Sequence, residues 1–213
     1  MNVLTILPDR PGAEELAKAV RLLREGRVLA FPTETFYGLA CDGKNEAAVE
    51  RLFRVKGRDF RKPVPVIIGD REALEGIAAE VPPEAEVLIR AFWPGALTLV
   101  LKALPGVSPR LTAGTGKIGV RLSSHPVARE LARALGGPVT ATSANLAGEK
   151  ECSTAEDVLL ALGDRIDGVI DGGRTPGGSG STLVDVTVKP PAILRKGAVP
   201  EERIAAVLGE GLR

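Results

Sequence analysis

Six cations fall within the twelve residues RLFRVKGRDFRK, Arg51 to Lys62, and Asp59 is the one acid among them. Arg51 and Arg54 suit a helix face and a helix C-terminus, where positive side chains meet unpaired carbonyls. Lys56, Arg58, Arg61 and Lys62 run up to and past the helix stop that Gly57 supplies, so helix placement alone does not account for them. Cations on a loop between a helix and a strand can clamp phosphate groups. The plain alternative is a solvated basic surface.

Four other stretches carry possible chemistry. In IGVRLSSHP, Arg121 interrupts an apolar strand, and a buried arginine is costly unless paired, so it meets an internal carboxylate or an anionic ligand. Arg195 in AILRKG sits at a strand end in the same way. TATSANLAG, Thr140 to Gly148, ends a β-rich run in Ser143 and Asn145, groups that can hold a nucleotide or a carboxylate, or satisfy their own turn. FPTETFYGLACD, Phe31 to Asp42, sets Thr33, Glu34 and Thr35 between a strand stop at Pro32 and a permissive Gly38. The glycines of DGGRTPGGSGST, Asp171 to Thr182, would let backbone N–H groups approach an anion, but no Lys follows them as in a Walker A loop. TAGTGK, Thr112 to Lys117, lacks the first glycine and the Ser/Thr of that loop, which leaves a surface turn as the better reading of both.

Other chemistries are excluded cheaply. His125 is the single histidine, too few for a histidine-rich zinc site, and its place before Pro126 at a helix start suits a Ser-His-Asp triad poorly. No metal site is expected in the chain. Two cysteines, Cys41 and Cys152, make no disulfide framework, no signal peptide is expected before the first helix, and no apolar run nears the ~20 residues that span a bilayer. A cytoplasmic protein without a membrane partner is expected. The net charge of +1 gives no global attraction for nucleic acid, so any basic site must be local.

These side chains must be held by a core poor in aromatics, 3% of the chain, and therefore built from Val, Leu, Ile and Ala. The periodicity predicts helices over Pro11 to Glu25, from Asn45 as cap to Gly57, over Glu84 to Phe92, over Pro126 to Leu135, from Thr154, and around Ile204 to Leu208. Strands are predicted at Val28 to Phe31, Val64 to Ile68, Leu97 to Leu101, Ile118 to Leu122, Val139 to Thr142, Val169-Ile170, Leu183 to Val186 and Ile193-Leu194, with Asp70 capping a helix after the second. Alternating strands and helices argue for an α/β fold in one domain over residues 1–213, and the clustered late strands for a mixed rather than parallel sheet.

Taken together and in order, FPTETFYGL, KGR with Pro63, WPGALTLVL, GVRLSSHP, TSANLAG, TAEDV, DGG, STLVDVT and AILRKGA resemble the YrdC family, the threonylcarbamoyl-AMP synthases, from about residue 15 to 200. The resemblance implies a single α/β domain of YrdC/RibB-like type, with a twisted mixed sheet flanked by helices and a positive concave face. It implies a reaction in which L-threonine, bicarbonate or CO2, and ATP with Mg2+ give L-threonylcarbamoyl-AMP and pyrophosphate. A separate transfer complex would use that adenylate to make t6A at position 37 of tRNAs reading ANN codons. It further implies that Thr35, Arg121 and Ser181 hold the threonine, that Lys56 and Arg58 act on the ATP phosphates, and that Lys62, Ser143, Asn145 and Arg195 complete the nucleotide site.

The chain departs from the family pattern at several points. A histidine position is Ile67, an asparagine is Lys62, a threonine is Lys117, Glu151 falls in a nucleotide-contacting stretch, and a glutamate is Gly180. No residue stands out as general base, so positioning and charge neutralisation are expected to carry catalysis. The rival reading is a module that binds tRNA or other double-stranded RNA through a basic concave face, without catalysis.

Overall fold

A computed structural model describes residues 2–6 and 12–209. In chain order the elements are β1 (Asn2–Thr5), α1 (Ala13–Arg24), β2 (Leu29–Phe31), β3 (Gly38–Ala40), α2 (Glu46–Lys56), β4 (Val66–Ile67), α3 (Pro83–Phe92), β5 (Leu97–Lys102), α4 (Pro109–Thr112), β6 (Lys117–Arg121), α5 (Pro126–Leu135), β7 (Val139–Thr140), β8 (Thr142–Ser143), α6 (Ala155–Leu162), β9 (Gly168–Asp171), β10 (Thr182–Asp185), β11 (Ala192–Arg195) and α7 (Glu201–Leu208). The start expected for the first helix at Pro11 lies outside the described residues.

The strands form two mixed sheets. One has the order β1-β9-β2-β3-β8 and the other β11-β10-β5-β6-β4-β7. In the first, β1 and β2 flank β9 in parallel, while β3 runs antiparallel to both β2 and β8. In the second, parallel pairs (β10 with β5, β4 with β6) alternate with antiparallel ones. The expected mixed sheet flanked by helices is therefore found as two sheets. β1 and β3 had no sequence expectation: each is short, and β3 lies within the turn that Pro32 opens.

Both faces of the central strands are buried, which is why their sequences read as unbroken apolar runs. In β2 and the residue before it, Val28 and Ala30 join one core cluster while Leu29 and Phe31 join another. The first cluster gathers Leu97, Leu99, Val120 and Val184 of the second sheet with α2, α3 and α6. The other packs α1 and α5 against the opposite face through Leu23, Val127 and Leu131. Ile67, at the family histidine position, belongs to this second cluster and is fully buried.

Helix ends follow the local chemistry. The Asn45 side chain accepts the Ala48 N–H at 3.1 Å, and Gly57 closes α2 in the left-handed conformation at φ 62°. Thr154 and Asp157 form a reciprocal capping box on α6. Asp70 accepts the Ala73 N–H at 3.0 Å, but the turn it starts is a short 3-10 helix, Glu72–Gly76.

The predicted strand Val139 to Thr142 is divided. β7 pairs with β4 in the second sheet, and β8 pairs with β3 in the first. The chain crosses between sheets at Ala141, whose N–H is taken by the Pro65 carbonyl at 2.8 Å. Thr140 fastens the crossing, its hydroxyl donating to the Leu39 carbonyl and accepting the Cys41 N–H.

Candidate active site

A cavity of about 150 Å³ opens where the chain crosses between the sheets. The crossing supplies Ala141, Thr142 and Ser143, and the turn between β2 and β3 supplies Thr33, Thr35, Phe36, Tyr37 and Gly38. Arg58 follows α2, Pro65 precedes β4, Arg121 ends β6, Gly180 and Ser181 precede β10, Arg195 ends β11, and Glu151 comes from the loop before α6. Residues far apart in sequence thus converge because short strands of both sheets end at one place. Gly38 lets the two segments pack closely there, since a Cβ would come within 3.1 Å of the Phe31 ring.

Three arginines and one acid line this cavity among the described residues. Arg195 donates to the Ser181 carbonyl (2.8 and 3.1 Å) and hydroxyl (3.0 Å). Ser181 is 2.8 Å from the Thr98 hydroxyl, so its Oγ is held from two sides. Arg58 donates to the carbonyls of Lys62 at 3.3 Å and Pro63 at 2.8 Å. Among the described residues, Arg121 donates no hydrogen bond from its guanidinium; its partner is the Glu34 carboxylate, 3.5 Å from Nη1. Burial lowers the pKa of all three; the Glu34 charge opposes this for Arg121 and the Glu151 charge for Arg195, while Arg195 adds to the effect for Arg58 and, to a lesser degree, for Arg121.

Lys56 is not the exposed cation that its setting suggests. It is 3% exposed, and its ammonium lies among the Ser143 carbonyl (2.6 Å), the Ser143 hydroxyl (3.2 Å), the Asn145 carbonyl (3.1 Å) and the Asn145 side-chain oxygen (2.9 Å). Burial, then the charge of Arg58, pushes it down to about 8. Asn145 is also buried and uses its amide on the Glu149 carbonyl at 2.6 Å. Neither side chain lines the cavity; both shape its wall from behind.

The structure therefore brings together Thr35, Arg58, Arg121, Ser143, Ser181 and Arg195. Lys56 and Asn145 stand one layer back. Lys62 is exposed and does not line the cavity, and its carbonyl rather than its ammonium faces Arg58. Of the departures from the family pattern, Glu151 and Gly180 line the cavity, Ile67 faces the core, and Lys117 forms an ion pair with Asp185 at 3.0 Å. Glu34, whose purpose the sequence leaves open, holds Arg121 and accepts a hydrogen bond from Ser123. The glycine-rich segment reaches the cavity only through Gly180 and Ser181; upstream it is tied to the wall by Gly177 N–H to the Thr35 carbonyl (2.8 Å) and by the Tyr37 hydroxyl to the Gly173 carbonyl (2.7 Å). Sequence reasoning missed Pro65 as a wall residue and gave Thr142 and Phe36 no role of their own within the stretches it singled out; periodicity carries no signal for them. Among the described residues, no group of three or more His, Cys, Asp or Glu could hold a metal ion, and no helix is long and apolar enough to cross a membrane.

Fold and cavity define an α/β protein with an arginine-lined cavity where two mixed sheets meet. The chain belongs to the Sua5/YciO/YrdC family, whose profile, described as "Telomere recombination", matches residues 21–197. It is 43% identical over 196 residues to the threonylcarbamoyl-AMP synthase of Bacillus subtilis, covering 92% of this chain and 57% of that protein. It is 39% identical over 210 residues to the threonylcarbamoyl-AMP synthase of Pyrococcus abyssi, covering 99% and 62%. The crystal structure of P. abyssi Sua5 complexed with L-threonine superposes with a TM-score of 0.95 at 38% identity, over all of this chain and 63% of that one. The chain thus spans about three fifths of the length of these relatives.

Proposed function

We propose that the protein synthesises L-threonylcarbamoyl-AMP. The observation that carries this reading is Arg121: a nearly buried guanidinium, free of hydrogen bonds, on a cavity whose walls also present the Thr35 and Ser181 side chains. Five N–H donors in a planar fork match a carboxylate, and the hydroxyl groups of Thr35 and Ser181 suit the remaining polar groups of threonine. The names of the B. subtilis and P. abyssi relatives, and the threonine held by P. abyssi Sua5, support the same substrate.

The chemistry would run as follows. Bicarbonate releases CO2 and hydroxide, the threonine amine adds to the CO2, and the proton the amine loses joins the hydroxide as water, giving a carbamate. A carbamate oxygen then attacks the α-phosphorus of ATP; the new P–O bond forms as the bond to the β-phosphate breaks, and pyrophosphate leaves. Arg58 and Arg195 sit on one cavity with Arg121 and would offset the charge that builds on the leaving group. Mg2+ would enter with ATP and neutralise phosphate charge. Lys56 would act by fixing Ser143 and Asn145, not by reaching the phosphates. The product would pass to a separate threonylcarbamoyl-transfer complex that modifies position 37 of ANN-decoding tRNAs. The two thiols, both free and buried, suit a reducing cytoplasm.

The RNA-binding alternative loses ground because part of the basic stretch is already neutralised. Arg51 pairs with Asp167 at 2.8 Å and Arg61 with Asp59 at 2.9 Å. The deciding experiment measures threonine-dependent pyrophosphate release beside the salt dependence of RNA affinity. Removing the Arg58 cation should cost ~3 kcal/mol of barrier, about 100-fold. Unchanged release in Arg58→Ala, or a steep salt slope with no threonine-dependent turnover, would sink the reading.

A further inference from the structure

Arg121 is held unlike the other two cavity arginines. Arg58 and Arg195 are each fastened by hydrogen bonds to carbonyls, whereas Arg121 has only the Glu34 carboxylate at 3.5 Å. That distance is an ion pair without a hydrogen bond, so it leaves the N–H donors of the guanidinium unused. Glu34 sits between Thr33 and Thr35; both threonines line the cavity and Glu34 does not. Its Oε2 accepts the hydroxyl of Ser123, which in turn accepts the His125 N–H at 3.1 Å. Its Oε1, facing Arg121, is buried and accepts no hydrogen bond. The carboxylate is therefore aimed through one oxygen and acts on Arg121 by charge through the other.

We propose that Glu34 is a positioning residue that holds Arg121 from behind and thereby makes the cavity select a ligand carboxylate over its neutral amide. The inference rests on the amino-acid-binding reading of the cavity. An unpaired buried guanidinium would be costly, so Glu34 lets Arg121 stand fixed at the cavity wall before any ligand arrives. Held this way, the site offers a ligand fixed donors and not only charge. What it gains comes from directed donors, which a planar carboxylate fills and a carboxamide fills only in part. Ser123 takes part by aiming Glu34.

The test is calorimetric binding of L-threonine and L-threoninamide to the wild type, Glu34→Gln, Glu34→Asp and Ser123→Ala, with KM for threonine and for ATP measured on the same samples. The expected result is a loss of threonine affinity of roughly 10–100-fold in Glu34→Gln, the scale of a displaced binding group, with KM for ATP unchanged. The preference for the acid over the amide should fall with it, Glu34→Asp should recover part of both, and Ser123→Ala should lose part of both. A merely structural role would move the ATP and threonine constants together and leave the acid-to-amide ratio alone, and that result overturns the proposal. If Glu34→Gln does not fold, Glu34→Asp and Ser123→Ala decide: an unchanged ratio in both overturns it. Failure of the wild type to bind threonine at any ATP concentration defeats the parent reading and the proposal with it, an outcome distinct from variants that bind like the wild type.

Discussion

Lys56 and Asn145 are joined twice: the buried ammonium at the end of α2 donates to both the side-chain oxygen (2.9 Å) and the carbonyl (3.1 Å) of Asn145. With Ser143 added, one cation ties the helix to the segment that crosses between the sheets. The tie has a signature in pH. The unfolded chain keeps this proton to the ordinary 10.5, and burial with Arg58 lowers the folded value to about 8. Below about pH 8 both states are protonated and folding bears the full cost of burying the charge. Between about 8 and 10.5 the unfolded state binds more protons, so this group's share of stability rises with pH. Activity should move the opposite way, because the deprotonated amine grips Ser143 and Asn145 more weakly. Urea midpoints and pyrophosphate release across this window should show opposed slopes, and their difference from Lys56→Met isolates the contribution of Lys56.

Arg121→Lys replaces a fork with a point charge and should raise KM for threonine about 10–100-fold while leaving the fold intact. Arg121→Ala is a different perturbation: it leaves the Glu34 carboxylate buried without its cation and should cost about 3–5 kcal/mol of stability. Steady-state kinetics and denaturant titration separate the two outcomes.

Gly197 lies against the cavity wall. A Cβ there would fall 2.4 Å from the Gly180 carbonyl oxygen and 2.5 Å from backbone atoms of Ser181 and Thr182. Backbone cannot give way as a flexible side chain does, so Gly197→Ala should cost about 1–3 kcal/mol and displace Ser181. A lower melting temperature with a raised KM for threonine is the expected pair of observations; wild-type kinetics would show that the wall had not moved.

Asn45→Ala serves as the contrast. It removes the cap on the Ala48 N–H at the end of α2 remote from Lys56 and should cost about 1 kcal/mol. Turnover and both KM values should be unchanged when measured well below the unfolding transition.

The sequence by itself determined the local elements: the caps of α2 and α6, the apolar strands β2, β5, β6 and β10, and the family motifs that mark Thr35, Arg58, Arg121, Ser181 and Arg195. These are legible because periodicity, capping and motif order are properties of neighbouring residues. Tertiary structure alone decided that one apolar run, Val139 to Thr142, serves two sheets, and that the cavity opens at that crossing. It also decided the roles of charges. Lys56 reads as a phosphate-facing cation in sequence and is buried among four oxygens, whereas Lys62, six residues on, stays in solvent. Glu34 has no visible partner in the chain until Arg121, 87 positions later, comes within 3.5 Å. The physical reason is the same in each case: whether a charge is solvated, paired or left to face a ligand depends on which distant strands end beside it, and strand order is a property of the whole sheet.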